Sequence, residues 1–242
     1  MTSSPATSHQ PLSTKIALVT GATRGIGAAV AKRFAAEGAH IIAIGRRQAD
    51  LERLDDEIQA LGGTATLIQL DLQEFPKIEI LAQNIAEKFG KLDILIGNAG
   101  ILGEITPMPH TSPAEWDKVI AVNLTANFHL IRCFDALLRR AENPRAMFVT
   151  SGVTSGVHAY WGAYAVSKAA LEEMVETYAA ENVKTNLRVN LIDPKATRTR
   201  MRAQAFPGED PDTLTPPENI TDIFVRLARS DLTETGQKFF AQ

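Results

Sequence analysis

The chain has 242 residues, 45% of them hydrophobic and 22% charged, with a formal net charge of −3. That is an ordinary globular composition with enough chain for one large core. The acidic balance gives no general attraction to nucleic acid or to an anionic membrane, so neither is expected as a partner.

Residues 1–14 (MTSSPATSHQPLST) have neither a basic segment nor an apolar run and read as a flexible polar arm. From Lys15 onward, short apolar runs alternate with amphipathic stretches, the pattern of a parallel sheet built from strand–helix–strand units. A first strand is expected over 15–22 and a helix over 25–37, then a strand over 40–45 and a helix over 50–61 that Gly62 and Gly63 stop. Next come a strand over 64–71, a helix over 76–90 and a strand over 92–100. One long helix is expected over 113–140, holding the single cysteine, Cys133, as core filler. A lone cysteine forms no internal disulfide, which fits a reducing, cytoplasmic setting.

A fifth strand is expected over 145–151, a second long helix over 162–182 and a sixth strand over 187–193. Residues 195–220 are polar, then proline-rich, and read as a binding loop with a short helix. Thr215 to Glu218 form a capping-box pattern opening a helix over 218–230, and a strand over 236–242 closes the chain. The strands are apolar on both faces, as buried parallel strands are.

The first strand runs through TGATRGIG directly into a helix. A pyrophosphate needs free backbone N–H groups, a positive helix end and no side chains in its way, which Gly21, Gly25 and Gly27 supply. Taken alone, the spacing also suits a tight strand-to-helix turn. The second strand ends in Arg46 and Arg47, where an acidic residue would select NAD. With Arg24 they form a basic corner suited to a 2′-phosphate, or simply a solvated helix start. Asp71 is placed to accept from an adenine amino group, to cap the following helix, or both.

Tyr164 and Lys168 stand four residues apart in AYAVSKAAL, neighbours on one helix face. A free phenol titrates near ~10, and an ammonium within about 4–6 Å lowers that by roughly 1–3 units. The pair therefore reads as a proton donor with its activating cation. None of the five histidines pairs with another at helical spacing, so no metal site is expected.

Together these residues resemble the short-chain dehydrogenase/reductase family over about 14–240. The resemblance rests on Thr20, Gly21, Gly25, Ile26 and Gly27, on Asn98, Ala99 and Gly100, and on Asn123, Ser151, Tyr164 and Lys168 in that order. It implies an α/β fold: a single-domain, Rossmann-like, doubly wound parallel sheet of about seven strands with helices on both faces, spanning 15–242. It further implies an NADP(H)-dependent oxidoreductase, NAD(H) being the lesser candidate, acting on a small-molecule carbonyl or alcohol as a homodimer or homotetramer.

By the same resemblance Tyr164 is the proton donor, Lys168 binds the nicotinamide ribose, Ser151 orients the substrate and Asn123 holds a relay water at a helix kink. Gly21, Thr23, Arg24, Gly25, Ile26, Gly27, Arg46 and Arg47 would take the phosphates, with Asp71 and Leu72 at the adenine. Asn98, Ala99 and Gly100 would lie beside the ribose, and Pro194, Thr197 and Thr199 at the carboxamide. The chain departs from the family twice: Gly97 stands where an asparagine is usual, and Lys195 where glycine follows proline. Lys195 must therefore take a backbone shape usually left to glycine. The run FPGEDPDTLTPPENI resembles a bacterial subgroup of family oxidoreductases. His158, Tyr160, Trp161, Met201 and Phe206 are candidate pocket residues, Tyr160 and Trp161 equally being packing anchors or oligomer contacts. The alternative reading is a catalytically quiet NADP(H)-binding sensor or scaffold on the same fold.

Overall fold

The computed structural model describes residues 10–241. Seven strands form one parallel sheet: β1 (Ile16–Thr20), β2 (His40–Gly45), β3 (Thr64–Gln69), β4 (Ile94–Gly97), β5 (Arg145–Val149), β6 (Arg188–Asp193) and β7 (Lys238–Phe240). Their order is β3-β2-β1-β4-β5-β6-β7, so the chain turns back on itself between β1 and β4. Ligands of doubly wound sheets bind beyond the carboxyl ends of the strands at such a reversal.

Alternation along each strand divides the core in two. Ala17, Val19, Ile41 and Ala43 face one layer with Val30, Phe34, Leu51, Ile58 and Phe224. Leu18, Ile42 and Ile44 face the other, with Leu81, Ile85, Leu130, Phe134 and Leu171. The first layer is supplied by α1 (Gly25–Ala36), α2 (Gln48–Ala60) and α8 (Thr221–Ala228), the second by α3 (Phe75–Phe89), α5 (Ala126–Leu138) and α6 (Gly162–Glu181). The helices thus cover both faces of the sheet, as the sequence leads one to expect.

Four local expectations change. Of the arm expected over 1–14, residues 1–9 lie outside the described residues. Residues 10–14 are anchored by Leu12, which is fully buried and donates its N–H to Glu37 O at 3.0 Å, while Gln10, Ser13 and Thr14 are exposed. The helix expected over 113–140 is interrupted: α4 (Pro113–Ile120) and α5 are joined by a π-helical turn at Ala121–Thr125. The capping box at Thr215 does not open the last helix. Pro216 and Pro217 instead start a short 3-10 turn through Ile220, Thr215 forms a parallel bridge with Thr197, and α8 begins at Thr221. Asp71 is not the N-cap of α3, a position held by Glu74; its Oδ1 accepts from Gln73 N at 3.0 Å.

At the opposite, amino edge of the sheet, Arg145 opens β5 fully buried. Its guanidinium donates to the carbonyls of Pro144, Asn186, Arg229, Ser230 and Leu232 at 2.9–3.4 Å. Burial, and then the neighbouring Arg188, push its pKa down to about 10, which leaves it charged at neutral pH.

Candidate active site

The glycine turn is built for close approach. Gly21 and Gly25 have φ of +61° and +54°, a region that favours glycine. A Cβ on Gly27 would lie 2.2 Å from Gly21 O and 2.5 Å from Asn98 Nδ2. Thr20 ties the two strands at the reversal together. Its hydroxyl donates to Ile96 O at 3.1 Å and accepts from the N–H groups of Asn98 and Ala99, each at 3.0 Å. Asn98 Nδ2 returns a bond to Thr20 O at 2.9 Å.

Gly97, the first departure, is filled from elsewhere. A Cβ there would lie 2.3 Å from Phe148 Cδ1 and 2.5 Å from Asn127 Oδ1, so these two side chains occupy the space an asparagine would need.

Ala22 N donates to Ile44 O at 3.0 Å, which sets the glycine turn beside the end of β2. Arg24, Arg46 and Arg47 are exposed there. Arg47 is spent partly on Asp50, 3.5 Å away, while neither Arg24 nor Arg46 has an ion pair among the described residues. Asp71 is half-buried and Leu72 buried beyond β3. A cradle without side chains and two free guanidiniums fit a phosphorylated dinucleotide.

Ser151 follows β5, and its Oγ accepts from Val153 N at 3.3 Å. Tyr164 and Lys168 lie buried on α6, with Lys168 Nζ 5.9 Å from the phenol ring centre. The ammonium donates to Val149 O at 2.8 Å. Burial holds the phenol above its ordinary pKa; hydrogen bonding to Ser151 opposes this, and the Asp193 charge adds to it. The activation expected from spacing alone is thus corrected. Lys168 is itself desolvated, with its pKa pushed down to about 8 despite the raising influence of Glu172. Tyr164 Oη contacts Met201 Sδ at 3.9 Å.

Asn123 sits in the π-helical turn, completely buried. Its Oδ1 accepts from Ile101 N at 2.8 Å, and Nδ2 donates to Ile101 O and Ser167 Oγ at 2.9 and 3.0 Å. Its own carbonyl accepts from Asn127 Nδ2 at 2.8 Å. One side-chain hydrogen thus holds the segment after β4 and the other ties the turn to α6.

After β6 the chain turns through Pro194 to Thr199 into α7 (Arg200–Ala205). Lys195 has φ +57°, the left-handed shape expected for this position. The Thr197 hydroxyl donates to Pro194 O at 2.6 Å, and Thr199 caps α7 by accepting from Arg202 N at 3.1 Å. Thr199 also lies against the glycine turn, its Cγ2 3.4 Å from where a Cβ on Gly25 would be. Tyr164 forms an apolar cluster with Leu102, Val153, Trp161, Ala165, Met201 and Ala205. Phe206 joins its edge through the Trp161 ring, 5.7 Å away. His158 and Tyr160 are exposed.

Two residues at the site escape the sequence reading. Glu172 accepts from the hydroxyls of Thr150 and Thr154 at 2.6 and 2.8 Å and pairs with Lys238 at 2.7 Å. Its spacing of four from Lys168 was the available signal. Asp193, fully buried at the end of β6, carried no signal beyond its place before proline.

Comparison with known proteins follows the same lines. The family model described as short chain dehydrogenase matches residues 15–210. The uncharacterized oxidoreductase YciK of Escherichia coli K12 is 39% identical over 235 residues, covering 96% of this chain and 93% of its own. A structure from Escherichia coli CFT073 complexed with NADPH superimposes with a TM-score of 0.92 at 39% identity, over 96% of this chain and 99% of that one. One from Shigella flexneri 2a complexed with NADP gives 0.93 at 37% identity, over 97% and 99%.

Proposed function

The chain belongs to the short-chain dehydrogenase family of oxidoreductases, and from that premise we propose that it moves hydride between NADP(H) and a carbonyl or secondary alcohol, with Tyr164 as general acid and base. One observation carries this reading: the glycine cradle and the Ser151–Tyr164–Lys168 set lie along the same carboxyl edge of one sheet, at its reversal. The bound nicotinamide supplies or accepts the hydride; the protein supplies position and electrostatics.

In the reducing direction, the substrate oxygen gains negative charge as its carbon gains hydride. The Ser151 hydroxyl hydrogen-bonds that oxygen, and Tyr164 gives it a proton. A phenol held above its ordinary pKa keeps its proton until the oxygen demands it. Lys168, fixed by Val149 O, stands beside the phenolate that results. The apolar cluster around Tyr164 excludes water and favours a neutral substrate with an apolar body over an acid.

The NADP(H) preference rests on Arg24 in the glycine turn and Arg46 just after β2, and on the NADP complexes of the two similar structures. The test is Tyr164→Phe, assayed with NADPH against a panel of carbonyl compounds. Turnover is expected to vanish while NADPH binding, followed by fluorescence titration, stays within a few-fold. Reductase activity surviving in that variant refutes the role of Tyr164. Arg46→Asp separately tests the cofactor: unchanged preference for NADPH over NADH would remove the basic corner as its cause.

A further inference from the structure

Lys195 holds a backbone shape that lysine adopts at a cost, with φ at +57°. Three contacts offset that cost, and two of them reach one residue. The Lys195 N–H donates to Asp193 Oδ1 at 2.9 Å, and its ammonium lies 3.5 Å from Asp193 Oδ2. The same ammonium stands 3.8 Å above the centre of the Phe240 ring. Phe240 belongs to β7, directly opposite Asp193 in the sheet register, and Ala241 N donates to Asp193 O at 3.0 Å.

Asp193 has its own need for this arrangement. It is completely buried, and its Oδ2 has no hydrogen bond among the described residues. A buried carboxylate without a compensating charge is strongly unfavourable. Its surroundings are functional as well: Oδ2 lies 3.5 Å from where a Cβ on Gly152 would be, next to Ser151. Downstream of the turn stand Thr199, against the glycine cradle, and Met201, against the Tyr164 hydroxyl.

We propose that Asp193 and Lys195 form a charge-paired clasp, anchored on Phe240, that fixes the turn through Thr199 and makes Lys195 a positioning residue for the cofactor. This rests on the NADP(H) reading of the site. A glycine at 195 would satisfy the backbone, so the lysine is there for its side chain, and the clasp couples the cofactor turn to the last strand.

The test compares Lys195→Gly, Lys195→Arg, Lys195→Met, Asp193→Asn and the Asp193→Asn/Lys195→Met pair in the full chain. NADPH affinity is read by fluorescence titration, and thermal unfolding is read without cofactor. Lys195→Gly relieves the backbone yet is expected to weaken NADPH binding about fivefold or more, the scale of coupling between contacting groups. Lys195→Arg keeps the charge and is expected to restore affinity to within about twofold of the original chain. Asp193→Asn and Lys195→Met are expected to be non-additive, the second change costing little once the first is made. Affinity equal to or tighter than the original in Lys195→Gly overturns the clasp. If the unaltered chain binds no NADPH, the functional reading fails instead, and the clasp is judged by thermal unfolding alone. There, additive effects of the two changes overturn it, and coupled effects uphold it.

Discussion

Restoring the family's usual asparagine at Gly97 should damage this protein, because its space has been taken. A Cβ at Gly97 would meet Phe148 Cδ1 at 2.3 Å, Asn127 Oδ1 at 2.5 Å and Phe148 Cε1 at 2.8 Å. Neither neighbour yields easily: Phe148 is fully buried in the sheet, and Asn127 is fastened to the Asn123 carbonyl. Overpacking of a filled core costs about 1–3 kcal/mol. For a chain of this size each kcal/mol lowers Tm by roughly 2–4 °C, so Gly97→Ala should lose roughly 2–12 °C and Gly97→Asn at least as much. The assay is thermal unfolding of the cofactor-free protein, with Phe148→Leu added to Gly97→Ala as the control. The smaller side chain should return part of the lost stability. An unchanged Tm in Gly97→Ala would refute the packing argument, and Phe148→Leu adding its own full cost on top would point the same way.

Three further outcomes follow from the site. Gly27→Ala sets a methyl group against the backbone oxygen of Gly21, which cannot swing aside, so NADPH binding should fall by at least about tenfold; titration at unchanged affinity would contradict this. Lys168 titrates near 8 when folded and at its ordinary 10.5 when unfolded, so between these values the unfolded chain binds more protons. Stability of the cofactor-free protein should therefore rise with pH above about 8, by up to ~1.4 kcal/mol per unit. The gain is read by urea unfolding at pH 7, 8 and 9, and Lys168→Met should lack it. Glu172→Gln removes a charge that raises the Lys168 pKa, so the rise in stability should begin at lower pH; an onset at the same pH would show that Glu172 does not act on the lysine.

The strands and the glycine turn were legible because their signals are local: apolar runs of strand length, and glycines directly ahead of a helix. The shape of Lys195 was legible through the resemblance alone, since the family places glycine after the proline there. The kink at Asn123 was legible only through the family resemblance, because helical periodicity runs unbroken through 113–140; its π-helical form and its contact with Ile101 show only in the fold. The phenol's direction of shift was missed because spacing gives proximity to Lys168 but not burial, and burial dominates both groups. Gly97 looked like a loss in the sequence. Its compensation by Phe148 and Asn127 lies on other elements and shows only in three dimensions.

Arg145 also sets an order in time. Two of its five carbonyl partners, Pro144 and Asn186, belong to its own neighbourhood and the start of β6. The other three lie 84–87 residues further along the chain. At a synthesis rate of about 5–20 residues per second, those carbonyls are made roughly 4 to 17 s after the arginine. The sheet from β3 to β4 has all its residues by then, while β5 begins with a cation whose cage is unfinished. Seating of β5 should therefore wait for the residues just beyond α8, and chains ending before Arg229 should be cut by protease around β5 far faster than the full protein.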